Sequence, residues 1–228
     1  MVGVTVAVVQ FGGSNCDRDA VRALAHLGVD AERVWHADGL PTDATGIVLP
    51  GGFSYGDYLR AGAMAARDPI MEAVREAAAD GVPVIGICNG AQIGSESGLT
   101  PGAFTTNASA RFQCEPVYLR VERADTPWTA AYDEGQVIEV PIAHGEGRFE
   151  VSEDAHDDLV ADDRVLFRYC DADGETTDAA NPNGSTDNIA GVLGDREHVA
   201  VLMPHPERAT LPDLGRSTDG AGILEAFA

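Results

Sequence analysis

The segment Val-Pro-Val-Ile-Gly-Ile-Cys-Asn-Gly at 82–90 constrains the chain most. The apolar run 82–87 predicts a buried strand that stops abruptly at Cys88, and a helical pattern begins at once over 89–97. Glycines two residues to either side of the cysteine permit a tight, strained turn that lifts the central side chain clear of the backbone. The N-terminus of the following helix adds a positive potential that favours a thiolate. The N–H of Asn89 would point toward an oxyanion. A small buried cysteine at a strand end is the plain alternative, and the paired glycines weigh against it.

The rest of the first half alternates in the same way. Strands are expected at Gly3–Gln10, Glu32–His36 and Gly46–Leu49, with helices over 17–27, 57–67 and 69–80. Asp17 is placed to cap the first of these helices. Alternation of this kind implies a mostly parallel sheet with helices on both faces. The middle differs: Val117–Val121, Val137–Ile142, Val165–Tyr169 and Ile189–Leu193 read as strands joined by turns. They either extend the sheet or form an antiparallel flap. Val199–Met203 is again a buried strand, and a helix is expected over 218–228. At 228 residues the chain suits a single α/β domain, which buries roughly 70% of its unfolded surface. Functional sites in such sheets form at the carboxyl ends of strands. Three strands end in polar, Gly/Pro-rich segments, before Gly51, Cys88 and His205.

Composition excludes several chemistries. There are 15 Lys plus Arg against 37 Asp plus Glu, a net charge of −22, and every basic residue is arginine. Without lysine there is no Walker-type phosphate loop and no Schiff-base catalysis. A nucleic-acid partner is not expected, because no basic patch could neutralise phosphates. The acids are spread along the chain, which points to a high-salt cytosol rather than to one acidic docking surface. No apolar run reaches the ~18 residues of a membrane span, and no basic segment precedes an apolar one at the start, so a cytoplasmic protein is expected. Cys16, Cys88, Cys114 and Cys170 lack CxxC spacing, so neither a zinc site nor a thioredoxin motif is expected, and with no export signal four free thiols in a reducing compartment are expected.

A thiol nucleophile needs a base. His205 stands in Met203-Pro204-His205-Pro206-Glu207-Arg208 at the end of an apolar strand, where two prolines stiffen the turn. Glu207 can hydrogen-bond the ring and fix its tautomer, giving a triad in the order Cys, His, Glu. Adjacent glycines in Pro50-Gly51-Gly52-Phe53-Ser54-Tyr55-Gly56-Asp57 free backbone N–H groups to face a ligand, and suit the second half of an oxyanion hole.

These pieces resemble the class I glutamine amidotransferases. The strings GSNCDRD (13–19), LPGGFSYGDYLRAGA (49–63), GICNGAQI (86–93), PIAHGEGRF (141–149), NPNGS (181–185) and LMPHPER (202–208) resemble one branch, the glutaminase subunits of phosphoribosylformylglycinamidine synthase. They span almost the whole chain. The resemblance implies a flavodoxin-like glutaminase fold with a small antiparallel extension. It makes Cys88 the nucleophile, His205 the base and Glu207 the orienting acid. It places Gly52 and Asn89 at the oxyanion hole, and Gln92, His144 and Gly145 at the glutamine substrate. It leaves NPNGS near the site or an interface, without a role. Ala91 departs from the pattern, which has a bulky aromatic there, and Gly94 is similarly small; both alter helix packing beside the elbow. Cys16, Cys114 and Cys170 are expected to be structural, and His26, His36, His156 and His198 receive no role.

The implied reaction is hydrolysis of L-glutamine, with ammonia passed to a large ATP-binding synthetase subunit that makes formylglycinamidine ribonucleotide. A small accessory subunit is implied beside it, and ATP and Mg2+ belong to the synthetase. Two rivals are a cysteine peptidase or deglycase sharing the elbow, and a binding subunit that has lost catalysis. The LPGGFSYGD and Pro-His-Pro-Glu strings argue against the first, and the intact Cys88, His205 and Glu207 against the second.

Overall fold

The computed structural model describes residues 5–228; Gly3 and Val4, which open the first expected strand, lie outside the described residues. The chain order is β1 (Thr5–Gln10), α1 (Asp17–His26), β2 (Asp30–Trp35), β3 (Ala44–Leu49), α2 (Ile70–Ala79), β4 (Val84–Ile87) and α3 (Asn89–Glu96). It continues with β5 (Ala103–Thr105), β6 (Gln113–Val121), β7 (Val137–His144), β8 (Arg148–Glu150), α4 (Glu153–Ala161), β9 (Val165–Cys170), β10 (Ile189–Leu193), β11 (Val199–Leu202) and α5 (Ala221–Leu224). The main sheet has the order β2-β1-β3-β4-β11-β10-β9-β6-β7.

From β2 to β11 all neighbours are parallel, and from β11 to β7 they are antiparallel. The middle strands therefore extend the sheet instead of forming a flap. A separate antiparallel pair, β5 with β8, lies apart from it. The pleat sends Val6 and Val8 of β1 into one core, with Ala20, Ala23 and Leu24 of α1. Ala7 and Val9 enter a second core on the other face, with Ile70, Met71 and Val74 of α2. Side chains alternate across a strand, so both faces of the parallel half are covered by helices. Each fully buried Leu, Ile or Phe contributes about 1.5–3 kcal/mol. On β7 the pattern relaxes to strict alternation of buried and half-buried residues, as suits the outermost strand.

Two expected helices differ in the structure. Residues 57–67 form no α-helix; short 3-10 turns at Ser54–Asp57 and Ala65–Arg67 flank irregular chain. Tyr55, Gly56, Asp57, Leu59 and Gly62 all have left-handed φ, which a right-handed helix does not admit. The terminal helix shrinks to α5 and a 3-10 turn at Glu225–Phe227, since the chain opens it only after Gly220. The strands β5 and β8 and the helix α4 were not expected. No helix of the described residues is long and apolar enough to cross a membrane.

Candidate active site

The carboxyl ends of β1, β3, β4 and β11 lie side by side, and each releases one piece of the site. Cys88 follows β4 with φ 53 and ψ −109, a conformation that a residue with a side chain holds only when its surroundings enforce it. Enforcement is visible on three sides. The Cys88 N–H donates to Leu202 O at 2.9 Å. A Cβ on Gly86 would stand 2.5 Å from Gly90 O, and one on Gly90 would stand 1.8 Å from Leu49 O. The two glycines thus let α3 start directly against β3 and β4. The Cys88 thiol is buried, donating weakly to Ala143 O at 3.6 Å.

His205 follows β11. Its N–H donates to Pro141 O at 2.8 Å, and its Nδ1 meets Glu207 Oε1 at 2.6 Å. Both side chains are 1% exposed. His205 Nε2, on the far side of the ring from Glu207, is buried and makes no hydrogen bond within the protein. Burial lowers the imidazole pKa, but the Glu207 carboxylate outweighs it, joined by the Cys88 and Cys16 thiols. The net direction is well above the ordinary histidine range. Glu207 therefore holds a proton on the ring and stabilises the imidazolium that forms when Cys88 is ionised.

The loop after β3 supplies Gly52 at φ 147, pressed so close to the 13–15 segment that a Cβ would meet Ser14 Cα at 2.7 Å. Asn89 sits in the first turn of α3, where a helix N–H has no intrahelical acceptor. Its side chain accepts from Ser54 N at 3.0 Å and donates to Gln92 Oε1 at 2.8 Å, and Gln92 Nε2 donates to Glu146 O at 2.7 Å. Gln92 borders the site, but both ends of its amide already bind the protein. His144 is buried, with Nδ1 3.0 Å from Asn107 Oδ1. Burial, then the charge of His205, lowers its pKa to about 4, so it stays neutral.

Two cavities meet at Cys88. One, of about 230 Å³, is bordered by Gly52, Gln92, His144, Gly145, Asp57 and Glu146. The other, of about 240 Å³, is bordered by Asn15, Cys16, Cys114, His205 and Arg208. Cys88, Gly52, Phe53, Phe112 and Ala143 line both. Six of the eight expected site residues border these cavities, while Glu207 reaches them through its bond to His205 and Asn89 through its bond to Gln92.

Three features escaped the sequence reading, and the NPNGS segment, expected near the site or an interface without a role, takes a structural one. Cys16, expected to be structural, faces the site: its Sγ accepts from Arg208 Nη2 at 3.1 Å, and Cys16, His205 and Glu207 place one donor atom each within 4.8 Å. That trio is the one metal-compatible group among the described residues, but its histidine and glutamate are already bonded to each other. Asn107 ties the 144–147 turn through Gly147 N and His144 O. The NPNGS segment props the same turn: Asn183 Nδ2 donates to Gly147 O at 2.8 Å, and Ser185 Oγ accepts from Phe149 N at 3.0 Å. Asp57 and Glu146 were unassigned, although both lie within strings that the resemblance uses. Gly94 has a packing reason, since a Cβ there would stand 2.7 Å from Val201 Cγ1 of β11.

Comparison with known proteins agrees with this geometry. Residues 3–216 match the CobB/CobQ-like glutamine amidotransferase domain. The phosphoribosylformylglycinamidine synthase subunit PurQ of Halobacterium salinarum is 77% identical over 99% of this chain and 100% of its own length. Its counterpart in Natronomonas pharaonis is 75% identical over 98% of this chain and 100% of its own. Among solved structures, a chain of PurLQS from Thermotoga maritima superposes with a TM-score of 0.87 at 43% identity, covering 99% of this chain and 97% of that one.

Proposed function

The chain belongs to the CobB/CobQ-like glutamine amidotransferase family, as a glutaminase subunit of phosphoribosylformylglycinamidine synthase, and from that membership we propose how its residues perform the reaction. It acts in purine biosynthesis, as part of a complex with the synthetase subunit. The observation that carries the assignment of roles is the buried His205–Glu207 pair beside a strained Cys88.

Cys88 Sγ attacks the carboxamide carbon of glutamine, and His205 Nε2 takes the thiol proton. The oxyanion is held by backbone N–H groups at Gly52 and Asn89, a contribution of about 2.7–4 kcal/mol per donor in comparable sites. His205 returns the proton to the departing nitrogen, which leaves as ammonia, and a γ-glutamyl thioester remains on Cys88. Water then loses a proton to His205 and attacks the thioester, and the thiol recovers that proton as glutamate leaves. The two cavities divide the work: the substrate amide enters from the Gln92 side, while the base works from the His205 side. His144 and Gly145 border the substrate's α-groups.

Ammonia protonates in bulk water and ceases to be a nucleophile, so hand-over requires docking. Exposed apolar side chains are available for it: Phe53 and Phe112 line both cavities, and Tyr58 and Leu59, 72% and 82% exposed, follow the cavity-lining Asp57 in the chain. Apolar exposure of this kind suits a partner surface. A small accessory subunit completes the assembly, and ATP with Mg2+ is held by the synthetase, since this chain has no lysine to cradle phosphates. Glutamate release measured with the chain alone, then with the synthetase, ATP and ribonucleotide, tests this reading. Release that rises on assembly and disappears in Cys88→Ala supports it; equal release from Cys88→Ala contradicts it.

A further inference from the structure

We propose that Asp57 and Glu146 form the subsite that takes the α-ammonium of the L-glutamine substrate, and so select an amino-acid amide over other carboxamides. The inference rests on the glutaminase reading and extends it to residues with no assigned role.

Placement comes first. Asp57 and Glu146 border the cavity of about 230 Å³ but not the one that holds His205. Cys88 stands where the two cavities meet, so a carboxamide at Cys88 extends its tail toward the two acids. Charge comes second. These two carboxylates are the formal charges in that wall, because no arginine borders it and His144 is neutral. A carboxylate pair facing one pocket without a cation is unfavourable until a cation arrives. Asp57 Oδ1 is buried and has no hydrogen-bond partner. Glu146 Oε2 accepts from Ala61 N at 3.3 Å, and its backbone oxygen is fixed by Gln92. Burial, then the charge of Glu146, raises the Asp57 pKa to about 6, as expected of acids awaiting a counter-charge.

Backbone strain agrees. Asp57 has φ 54, between Gly56 at 68 and Leu59 at 73, and Tyr55 has 53. Strain of this kind persists where it holds a functional group in place. Asparagine tolerates a left-handed φ as well as aspartate does, so Asp57→Asn removes the charge without disturbing the turn.

The experiment compares L-glutamine with 4-carbamoylbutanoate, which keeps the carboxamide and the carboxylate but lacks the ammonium. Both are hydrolysed by the assembled complex, using wild type, Asp57→Asn, Glu146→Gln and Cys88→Ala. In wild type, kcat/KM is expected to favour glutamine by roughly 100-fold, the scale of a lost buried charge partner. Asp57→Asn and Glu146→Gln should each lower kcat/KM for glutamine, mainly through KM, and leave 4-carbamoylbutanoate nearly unchanged. An equal fall for both substrates, or no fall for either, overturns the subsite. Glu146→Gln decides the matter should Asp57→Asn not fold. Glutamine hydrolysis surviving in Cys88→Ala would sink the underlying glutaminase reading instead, and so separates the two failures.

Discussion

Replacing Gly90 by alanine adds a single methyl group at the most crowded point of the elbow. Its carbon would lie 1.8 Å from Leu49 O and 2.5 Å from Leu49 C. An ordinary C···O contact is about 3.3 Å, so roughly 1.5 Å of separation must be found. Strand β3 cannot supply it, because Leu49 is held in register with Gly86 of β4. Helix α3 must therefore lift away, and α3 begins one residue after the nucleophile. Overpacking of this kind costs about 1–3 kcal/mol. For a chain of this length that lowers Tm by roughly 2–4 °C per kcal/mol, or up to about 12 °C. A shift of about 1 Å in a reacting group costs on the order of 100-fold in rate. Thermal unfolding and glutamate release, both in molar potassium chloride, measure the two effects. Gly12→Ala is the control, since a Cβ there meets nothing within 4 Å. A Gly90→Ala protein with the Tm and rate of wild type would refute the reasoning.

Glu207→Gln keeps the shape of the pair but removes the charge behind His205, so kcat should fall by about 10²–10⁴-fold with little change in KM; an unchanged kcat would show that the carboxylate is idle. Asp57 is the acid that titrates near pH 6 in a wall shared with Glu146, His144 and Cys88. Its carboxylate is lost as pH falls through about 6, so kcat/KM for glutamine relative to 4-carbamoylbutanoate should drop below that pH in wild type and stay flat in Asp57→Asn. A net charge of −22 repels itself across a screening length of about 10 Å at 0.1 M salt and about 3 Å at 1 M. Tm should therefore climb with potassium chloride over that range, and a Tm independent of salt would contradict the halophilic reading.

The parallel half was legible because buried strands leave uninterrupted apolar runs, as in Val84–Ile87 and Val199–Leu202. The triad was legible because glycines and prolines mark sharp turns whatever their tertiary setting. Strands β5 and β8, at three residues each, are too short to carry a period. The 57–67 segment has helical composition, and only its left-handed φ values reveal a loop shaped for a site. Cys16 could not be placed beside His205 from sequence, because 189 residues separate them and only the parallel order β1-β3-β4-β11 turns the carboxyl ends of β1 and β11 to the same side of the sheet. Asp57 and Glu146 are ordinary acids among 37; their shared cavity is a property of the fold.

The most direct test of the central claim is the covalent intermediate. The complex, quenched in acid during glutamine turnover and digested, should yield a peptide carrying one γ-glutamyl group in thioester linkage to Cys88. A glutamyl group on Cys16, Cys114 or Cys170, or turnover with unmodified Cys88 under conditions that trap a thioester control, would contradict the account.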